Sequence, residues 1–229
     1  MTIWILIIGT LALSLFAAAR VKSIYNRYNR GSVLSGVTGG KAAALILRQA
    51  GIRDVEIAVH DQMLGDHYDP LHKRLVLSSD NYHGSSPAAL GVAAHECGHA
   101  IQHQRAYQPL HWRMAAVGIT TYANQAVMWL PVLGLITGLI QPMLALWILA
   151  LAWGVIMFFN LVTLPVEFDA SRRAKAVLSD LGLVAPGGEA VAVRKVLDAA
   201  ALTYVAAFIT SLAYFLWHLL PLLTGRQRD

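Results

Sequence analysis

The segment Ala93–His103, with the sequence AAHECGHAIQH, places three histidines and one glutamate among small apolar residues. On a helix, His95 and His99 are four residues apart and therefore lie on one face, one turn from each other. Both imidazoles can then reach one metal ion at the usual Zn–N distance of ~2.0–2.1 Å. Glu96 projects about 100° round the helix, where it can accept a proton from water on that ion. The spacing predicts a zinc hydrolase site with Glu96 as the general base.

His103 continues the four-residue spacing of the two histidines before it. A helix rises ~1.5 Å per residue, which puts His103 ~12 Å along the axis from His95, and one ion cannot bind both. The extended zinc motif with a third histidine needs a glycine turn after the helix, and residues 100–104 (AIQHQ) contain no glycine. We therefore expect His103 to be either a polar helix residue or a residue that contacts a metal ligand without binding the ion itself.

The motif leaves at least one metal ligand to be found, because a catalytic zinc site usually has three protein ligands and a water. Downstream of the motif the glutamates are Glu167 and Glu189. Glu189 follows the loop APGG and is expected to begin a helix in solvent, whereas Glu167 directly follows an apolar segment. The residues favour Glu167 as the third ligand, with His111 as its competitor and an interfacial charge as its alternative role. Asp169 is expected to hydrogen-bond a ligand histidine.

The composition indicates a membrane protein. Hydrophobic residues make up 56% of the chain and charged residues 14%, with a mean hydropathy of +0.52, whereas soluble domains carry about 25% charged residues. Residues 1–19 begin with an apolar run that predicts a retained anchor. A cleaved signal peptide is the alternative, but no basic residue precedes the run. Further apolar segments long enough to cross a bilayer lie at residues 115–137, 143–164 and 201–223.

Six segments follow from this pattern. They are a transmembrane anchor (1–19), a cytoplasmic α+β metallopeptidase region (20–113), a transmembrane hairpin that turns at GLIQP (114–164), a cytoplasmic helical segment with the third zinc ligand (165–200), a transmembrane helix (201–223) and a polar tail (224–229). Basic residues flank the spans on the side of 20–113 and 165–200, so the positive-inside rule puts these segments in the cytoplasm. The predicted fold class is mainly α, an integral membrane protein with about four transmembrane helices and a small cytoplasmic α+β zincin-like unit.

Local patterns predict the elements of the cytoplasmic region. They are a helix at 41–50, a strand at 54–60, a turn at 66–70 and a strand at 73–79. Gly51 is expected to end the helix at the C′ position. The second strand is either an edge to which an extended peptide adds or a packed internal strand. Ser86 and Pro87 are an N-cap and a first-turn proline, so the helix that carries the opening segment begins there and runs to about Arg105.

The remaining composition limits the partners and the redox chemistry. The net charge is +5, but no compact Lys/Arg run with interleaved aromatics indicates nucleic acid binding, and anionic lipid headgroups are the expected partner of the basic flanks. The single cysteine, Cys97, excludes an intrachain disulfide and is expected to be a small packing residue. Polar residues of the second span are expected to join helices by hydrogen bonds or to line a cavity; these are Thr120, Thr121, Tyr122, Asn124 and Gln125.

AAHECGHAIQH, followed by LPVEFDASRRA and then AALTYVAA, resembles the YugP-type neutral zinc metallopeptidases of bacterial membranes. The resemblance covers essentially the whole chain, which is more distantly similar to the HtpX and CAAX prenyl-protein protease group. In that group a glutamate in an E-[FY]-x-A-D motif is the third zinc ligand, and it maps onto Glu167. The group's aspartate is replaced by Ser171, and Asp169 lies two residues earlier. The resemblance implies a protease of the bacterial inner membrane that degrades membrane or misfolded proteins or processes one client.

The predicted activity is that of a membrane-embedded endopeptidase with Zn2+ as its cofactor and a zinc-bound water as the nucleophile. The oxyanion needs a further donor, for which Tyr204 is a candidate, as are His67 and Tyr82. A zinc-stabilised membrane scaffold without turnover is the alternative, and a zinc hydrolase of non-peptide substrates also fits. Glu96 argues against the scaffold, because a purely structural site has no use for a carboxylate beside the metal.

Overall fold

A computed structural model of the chain describes residues 2–60 and 65–224. These residues form seven helices and three strands. In chain order they are α1 (Thr2–Tyr28), α2 (Gly39–Gln49), β1 (Glu56–His60), β2 (His67–Asp69), β3 (Arg74–Ser78), α3 (Ser79–His83), α4 (Pro87–Gln104), α5 (Gln108–Thr137), α6 (Pro142–Asp180) and α7 (Gly188–Thr224). The mainly helical fold with a small sheet is confirmed. The predicted polar tail after Thr224 lies outside the described residues.

The described residues divide into two compact units. The helical unit comprises residues 2–16, 111–164 and 204–224, and the mixed unit comprises residues 17–60, 65–110 and 165–203. The chain changes from one unit to the other after residues 16, 110, 164 and 203, each within three residues of a boundary between predicted segments. Which segments face the cytoplasm stays a prediction.

Four helices are long and apolar enough to cross a membrane, namely α1, α5, α6 and α7. They have 27, 30, 39 and 37 residues, whereas ~20 residues suffice for a span. The helices therefore do not stop at the predicted segment boundaries. The first continues past residue 19 to Tyr28, and α6 passes through Pro165 without a break and ends only at Asp180.

Hydrogen bonds in the helical unit differ from the expectation for the second span. The hydroxyls of Thr120 and Thr121 donate to carbonyls one turn earlier in α5, at 2.7 and 3.0 Å, and Gln125 accepts from an indole N–H of the same helix at 2.9 Å. The expectation that these side chains join helices is wrong for the two threonines, because their own backbone is the nearest acceptor. Asn160 of α6 joins two helices instead, since its amide donates to the hydroxyl of Ser211 on α7 at 3.0 Å.

The sheet of the mixed unit has the strand order β1-β3-β2, with β1 parallel and β2 antiparallel to β3. The central position of β3, with Leu75 and Leu77 fully buried, means that the edge alternative for residues 73–79 is wrong and the internal strand is confirmed. The turn predicted at 66–70 is also wrong, because most of it is β2. Asp66 holds this short strand in place by accepting the backbone N–H of Ser78 on β3 at 2.7 Å.

The two predicted helices of the mixed unit form close to their expected limits. Gly51 follows α2 with a φ of +73°, the left-handed conformation that ends a helix. Ser86 caps α4 by accepting from the backbone N–H of Ala89 at 3.1 Å, and Pro87 occupies the first helical position. Burial confirms Cys97 as a packing residue of α4, and it raises the pKa of the thiol.

The close approach of α4 to α6 depends on a glycine. A Cβ atom at Gly98 would lie 2.7 Å from the carbonyl oxygen and 3.0 Å from the Cα atom of Ala170. Both are backbone atoms of α6, so neither can move aside without moving the helix. The two helices meet at this position because neither residue carries a large side chain.

Replacement of this glycine tests the approach. We expect Gly98→Ala to destabilise the protein by about 1–3 kcal/mol through overpacking. The matched control is Gly91→Ala on the same helix, where the new Cβ would make an ordinary 3.5 Å contact with Val193. The control should be neutral or slightly stabilising, because alanine is the better helix former by about 1 kcal/mol. Thermal unfolding in detergent measures both, and equal midpoints for the two variants would contradict the close approach.

Candidate metal centre

Helix α4 holds His95 and His99 side by side. The two residues lie one turn apart, and their rings meet edge to face with centroids 4.8 Å apart. Ser86 and Pro87 set where the helix begins, so this pairing follows from local sequence. Both histidine side chains are mostly buried, at 13% and 10% exposure. The Nε2 atoms of the pair face helix α6.

Glu167 of α6 completes a set of three. Its Oε2 atom lies 3.2 Å from the Nε2 of His95 and 3.6 Å from the Nε2 of His99. The side chain is 2% exposed. The two helices can bring the carboxylate this close to the histidines because they touch at Gly98.

The three donor atoms fit a zinc ion. Two ligands at ~2.0–2.2 Å from a tetrahedral ion are ~3.3 Å apart, and the distances of 3.2 and 3.6 Å from Glu167 lie on either side of that value. The ligand atoms of all three residues lie within 4.8 Å of one another. Among the described residues, His95, His99 and Glu167 form the one group of histidine, cysteine or carboxylate side chains that could hold a metal ion. Two imidazoles and one carboxylate are also a ligand set of catalytic zinc sites.

Each histidine has a hydrogen-bond partner at its other ring nitrogen. The Nδ1 atom of His95 lies 3.1 Å from the hydroxyl of Ser171, and the Nδ1 atom of His99 lies 3.0 Å from Oε1 of Gln102. Neither partner was predicted. Ser171 could have been found, because it stands where the resembled group has its aspartate. Gln102 carries no sequence signal beyond its place three residues after His99.

Asp169 occupies a different place from the predicted one. Its carboxylate accepts from the side-chain amide of Gln102 at 2.9 Å and does not bond a histidine directly. The reason is the turn of α6, which directs Ser171 toward His95 and leaves Gln102 between Asp169 and His99. Asp169 is 3% exposed, and its charge is balanced by ion pairs with Arg172 and Arg173.

Glu96 is buried beside the three-residue set without belonging to it. The residue is 8% exposed, and its ligand-capable oxygens are outside the group of atoms that could hold the ion. Its charge is close enough to act on the imidazole of His99. A carboxylate beside a possible metal site is a candidate for proton transfer.

Burial and charge act in opposite directions on His99. Burial lowers the pKa of its imidazole, since it penalises the charged form. The hydrogen bond and the charge of Glu167 raise the pKa, with a further contribution from Glu96, and together they outweigh burial. The net result is a pKa raised above the ordinary 6.5.

Other predicted site residues lie elsewhere. Tyr204 and the competing ligand His111 belong to the helical unit, and the role of Tyr204 stays a prediction. His67 is exposed on β2, with its Nδ1 2.6 Å from the carbonyl oxygen of Gly65. The ring of Tyr82 packs edge to face against His83.

His103 bonds away from the metal set. Its Nδ1 lies 2.9 Å from the hydroxyl of Tyr68 on β2, so the residue links α4 to the sheet. The ring pair is tilted, with centroids 5.9 Å apart. The third histidine of the motif therefore contributes to packing of the mixed unit.

Comparisons with known proteins agree with this chemistry. A family model described as "Putative neutral zinc metallopeptidase" matches residues 3–223. The chain is 39% identical over 224 residues to "Putative membrane protease YugP" of Bacillus subtilis (strain 168), covering 98% of each chain. No solved structure matches the chain.

Removal of the carboxylate tests its place in the centre. We expect Glu167→Gln to weaken zinc binding by at least about tenfold, because the amide lacks the negative charge that balances the ion. Glu56→Gln is the matched control, since Glu56 is an exposed carboxylate of β1 paired with Arg74. Zinc affinity is measured by competition with a chelator in detergent. Equal affinities of Glu167→Gln and the wild type would refute Glu167 as a ligand.

The raised pKa of His99 predicts how zinc binding depends on pH. A protonated imidazole cannot bind a metal ion, and a raised pKa means that the proton is held up to pH values above 6.5. Zinc affinity should therefore be constant at alkaline pH and fall by about tenfold per unit as the pH drops through the raised pKa. His103→Gln should leave the curve unchanged. A decline that begins only well below 6.5 would contradict the raised pKa.

Proposed function

The chain belongs to the family of neutral zinc metallopeptidases, and from this premise we propose that it is a membrane-embedded endopeptidase. The observation that carries the proposal is the buried set of two histidines and one glutamate, whose donor atoms have the separations of zinc ligands. In this proposal His95, His99 and Glu167 hold the ion. Three protein ligands leave a fourth position for water, as in catalytic rather than structural zinc sites.

The chemistry divides between the ion and the protein. Zinc, when bound, supplies a Lewis acid that acidifies water and polarises the scissile carbonyl. Glu96 accepts the proton of the attacking water at its carboxylate and passes it to the nitrogen of the leaving amine. Burial of Glu96 favours this role, because a carboxylate with little access to solvent keeps its proton for the substrate.

The oxyanion requires one more donor, and Tyr204 of α7 is our candidate. A phenolic hydroxyl can donate to the developing negative charge without changing its own protonation state. Loss of such a donor lowers kcat more than it raises KM, because the contact forms in the transition state.

Membrane insertion is part of the same proposal. Four helices have the length and composition of spans, and the similar protein of Bacillus subtilis is named a membrane protease. We propose that the chain spans the inner membrane of a bacterium several times, with residues 20–113 and 165–200 in the cytoplasm. The support for this orientation is the excess of lysine and arginine in those segments.

The substrates proposed are proteins or peptides that reach the cytoplasmic face, in particular membrane proteins and misfolded chains. A site on the cytoplasmic side can receive a loop or an unfolded segment of such a protein. The alternative is a zinc-stabilised scaffold without catalytic activity, in which the buried carboxylate of Glu96 would have no function.

The decisive variant is Glu96→Gln, which preserves size and removes the base. We expect its zinc content to equal that of the wild type and its cleavage rate to fall at least about 100-fold. The assay is cleavage of a fluorescently labelled unfolded protein in detergent, with Glu56→Gln as the control for loss of an exposed carboxylate. If the wild type and Glu96→Gln both contain zinc and neither cleaves the substrate, the result would support the scaffold. Cleavage by Glu96→Gln at the wild-type rate would remove Glu96 as the base.

A further inference from the structure

We propose that Gln102 is a positioning residue that fixes the tautomer and the ring orientation of His99. Asp169 in turn fixes the orientation of the Gln102 side-chain amide. The inference rests on the proposed zinc site and deepens it, because it explains how one ligand is prepared for the ion. Gln102 is fully buried, so water does not compete for its hydrogen bonds.

The orientation of the Gln102 amide follows from its partners. The nitrogen Nε2 lies 2.8 Å from the backbone carbonyl oxygen of Val166 and 2.9 Å from Oδ2 of Asp169. A carbonyl and a carboxylate accept hydrogen bonds and cannot donate them. Each therefore needs one of the two amide N–H groups. A flipped amide would put its oxygen against two oxygens, so chemistry admits one orientation.

This orientation determines the tautomer of His99. The amide oxygen of Gln102 lies 3.0 Å from Nδ1 of His99, and an amide oxygen only accepts. Nδ1 must therefore carry the hydrogen. In a neutral imidazole Nε2 then holds the free lone pair, and Nε2 is the atom that lies 3.6 Å from Glu167. Gln102 selects the tautomer that can bind a metal ion through Nε2.

The second histidine is held by a different kind of partner. Ser171 lies 3.1 Å from Nδ1 of His95, and a hydroxyl can both donate and accept. Ser171 is therefore compatible with either tautomer of His95. The selection acts on His99 alone, and the two ligands differ in how strongly the protein prepares them.

The charge of Asp169 strengthens the hydrogen bonds that run from Asp169 through Gln102 to His99, which we call the relay. Asp169 is 3% exposed and pairs with Arg172 and Arg173. An ionised carboxylate is a stronger acceptor than a neutral one, which strengthens its bond from the amide of Gln102. Polarisation of the amide passes through to its oxygen and makes it a better acceptor for the Nδ1 hydrogen of His99.

Zinc affinity tests the relay without reference to activity. Gln102→Met keeps the length of the side chain and removes the amide, and we expect it to weaken zinc binding about 10–100-fold. Gln104→Met is the matched control, because Gln104 is an exposed glutamine at the end of the same helix. The control should bind zinc as the wild type does. Dissociation constants come from chelator competition with zinc alone.

A spectroscopic readout separates positioning from loss of structure. In zinc-loaded protein labelled with 15N-histidine, the Nδ1–H of His99 should exchange slowly with solvent, and it is distinguished from His95 because Ser171→Ala changes the signal of His95. Gln102→Met should accelerate this exchange and leave the imidazole signals of His95 unchanged. Equal changes at both histidines would indicate a general disturbance of the site and overturn the proposal.

An exchange of partners tests the direction of the relay. Gln102→Glu alone should bind zinc weakly, because its carboxylate would face Asp169 and the carbonyl of Val166. Adding Asp169→Asn supplies an amide that donates to the new carboxylate, which can still accept from His99. We expect the double variant to recover at least about tenfold of the lost affinity.

The outcomes distinguish the relay from the proposed site. If the wild type binds zinc and Gln102→Met binds it with the same affinity, the relay is overturned but the proposed zinc site is not. Zinc binding by Gln102→Glu alone at the wild-type affinity would do the same, because the amide would then not be needed. A wild type that binds no zinc would overturn the proposed function, and the relay with it.

Discussion

Helices α4 and α6 hold His95, His99 and Glu167, the three side chains that could bind a metal ion, together because their backbones touch at Gly98. The histidines are on α4 and the glutamate is on α6, so the ligand set exists only where the helices are close enough. A Cβ atom at residue 98 would lie 2.7 Å from a backbone oxygen of α6. The same contact lets the amide of Gln102 reach the carbonyl of Val166 at 2.8 Å. The proposed ligands and the side chains that hydrogen-bond them therefore depend on the distance between these two helices.

The buried polar side chains around His95 and His99 form a connected set of hydrogen bonds and ion pairs. Imidazoles face the Glu167 carboxylate on one side and Ser171 or Gln102 on the other. Asp169, nearly inaccessible to solvent, is balanced by two arginines. Removal of these arginines would leave the buried Asp169 carboxylate without a compensating charge, which costs more than the ion pairs contribute. Such a site tolerates few changes.

Local sequence predicted the parts of the molecule that local chemistry determines. The cap at Ser86, the pairing of His95 with His99 and the four apolar segments could all be read from neighbouring residues. Glu167 could be proposed by elimination and by resemblance. Ser171 could not be assigned from spacing, because its partner His95 lies on another helix. Gln102 is only three residues from His99, but the Val166 and Asp169 oxygens that orient its amide lie on another helix more than 60 residues away. The central position of β3 likewise depends on β2, a strand of three residues hidden in a segment that looks like a turn.

The single cysteine of the chain, Cys97, lies in sequence between His95 and His99, yet its side chain is not part of the group that could hold a metal ion. Cys97 is fully buried with its sulfur 3.7 Å from the carbonyl oxygen of Ala43 on α2, and burial keeps the thiol protonated. The sulfur contacts α2, whereas the Nε2 atoms of His95 and His99 face Glu167 on α6, so the thiol lies away from the donor atoms of that set. Because the sulfur is inaccessible, oxidants and alkylating reagents find no reactive cysteine in the folded protein. The proposed metal site therefore has nitrogen and oxygen donors alone.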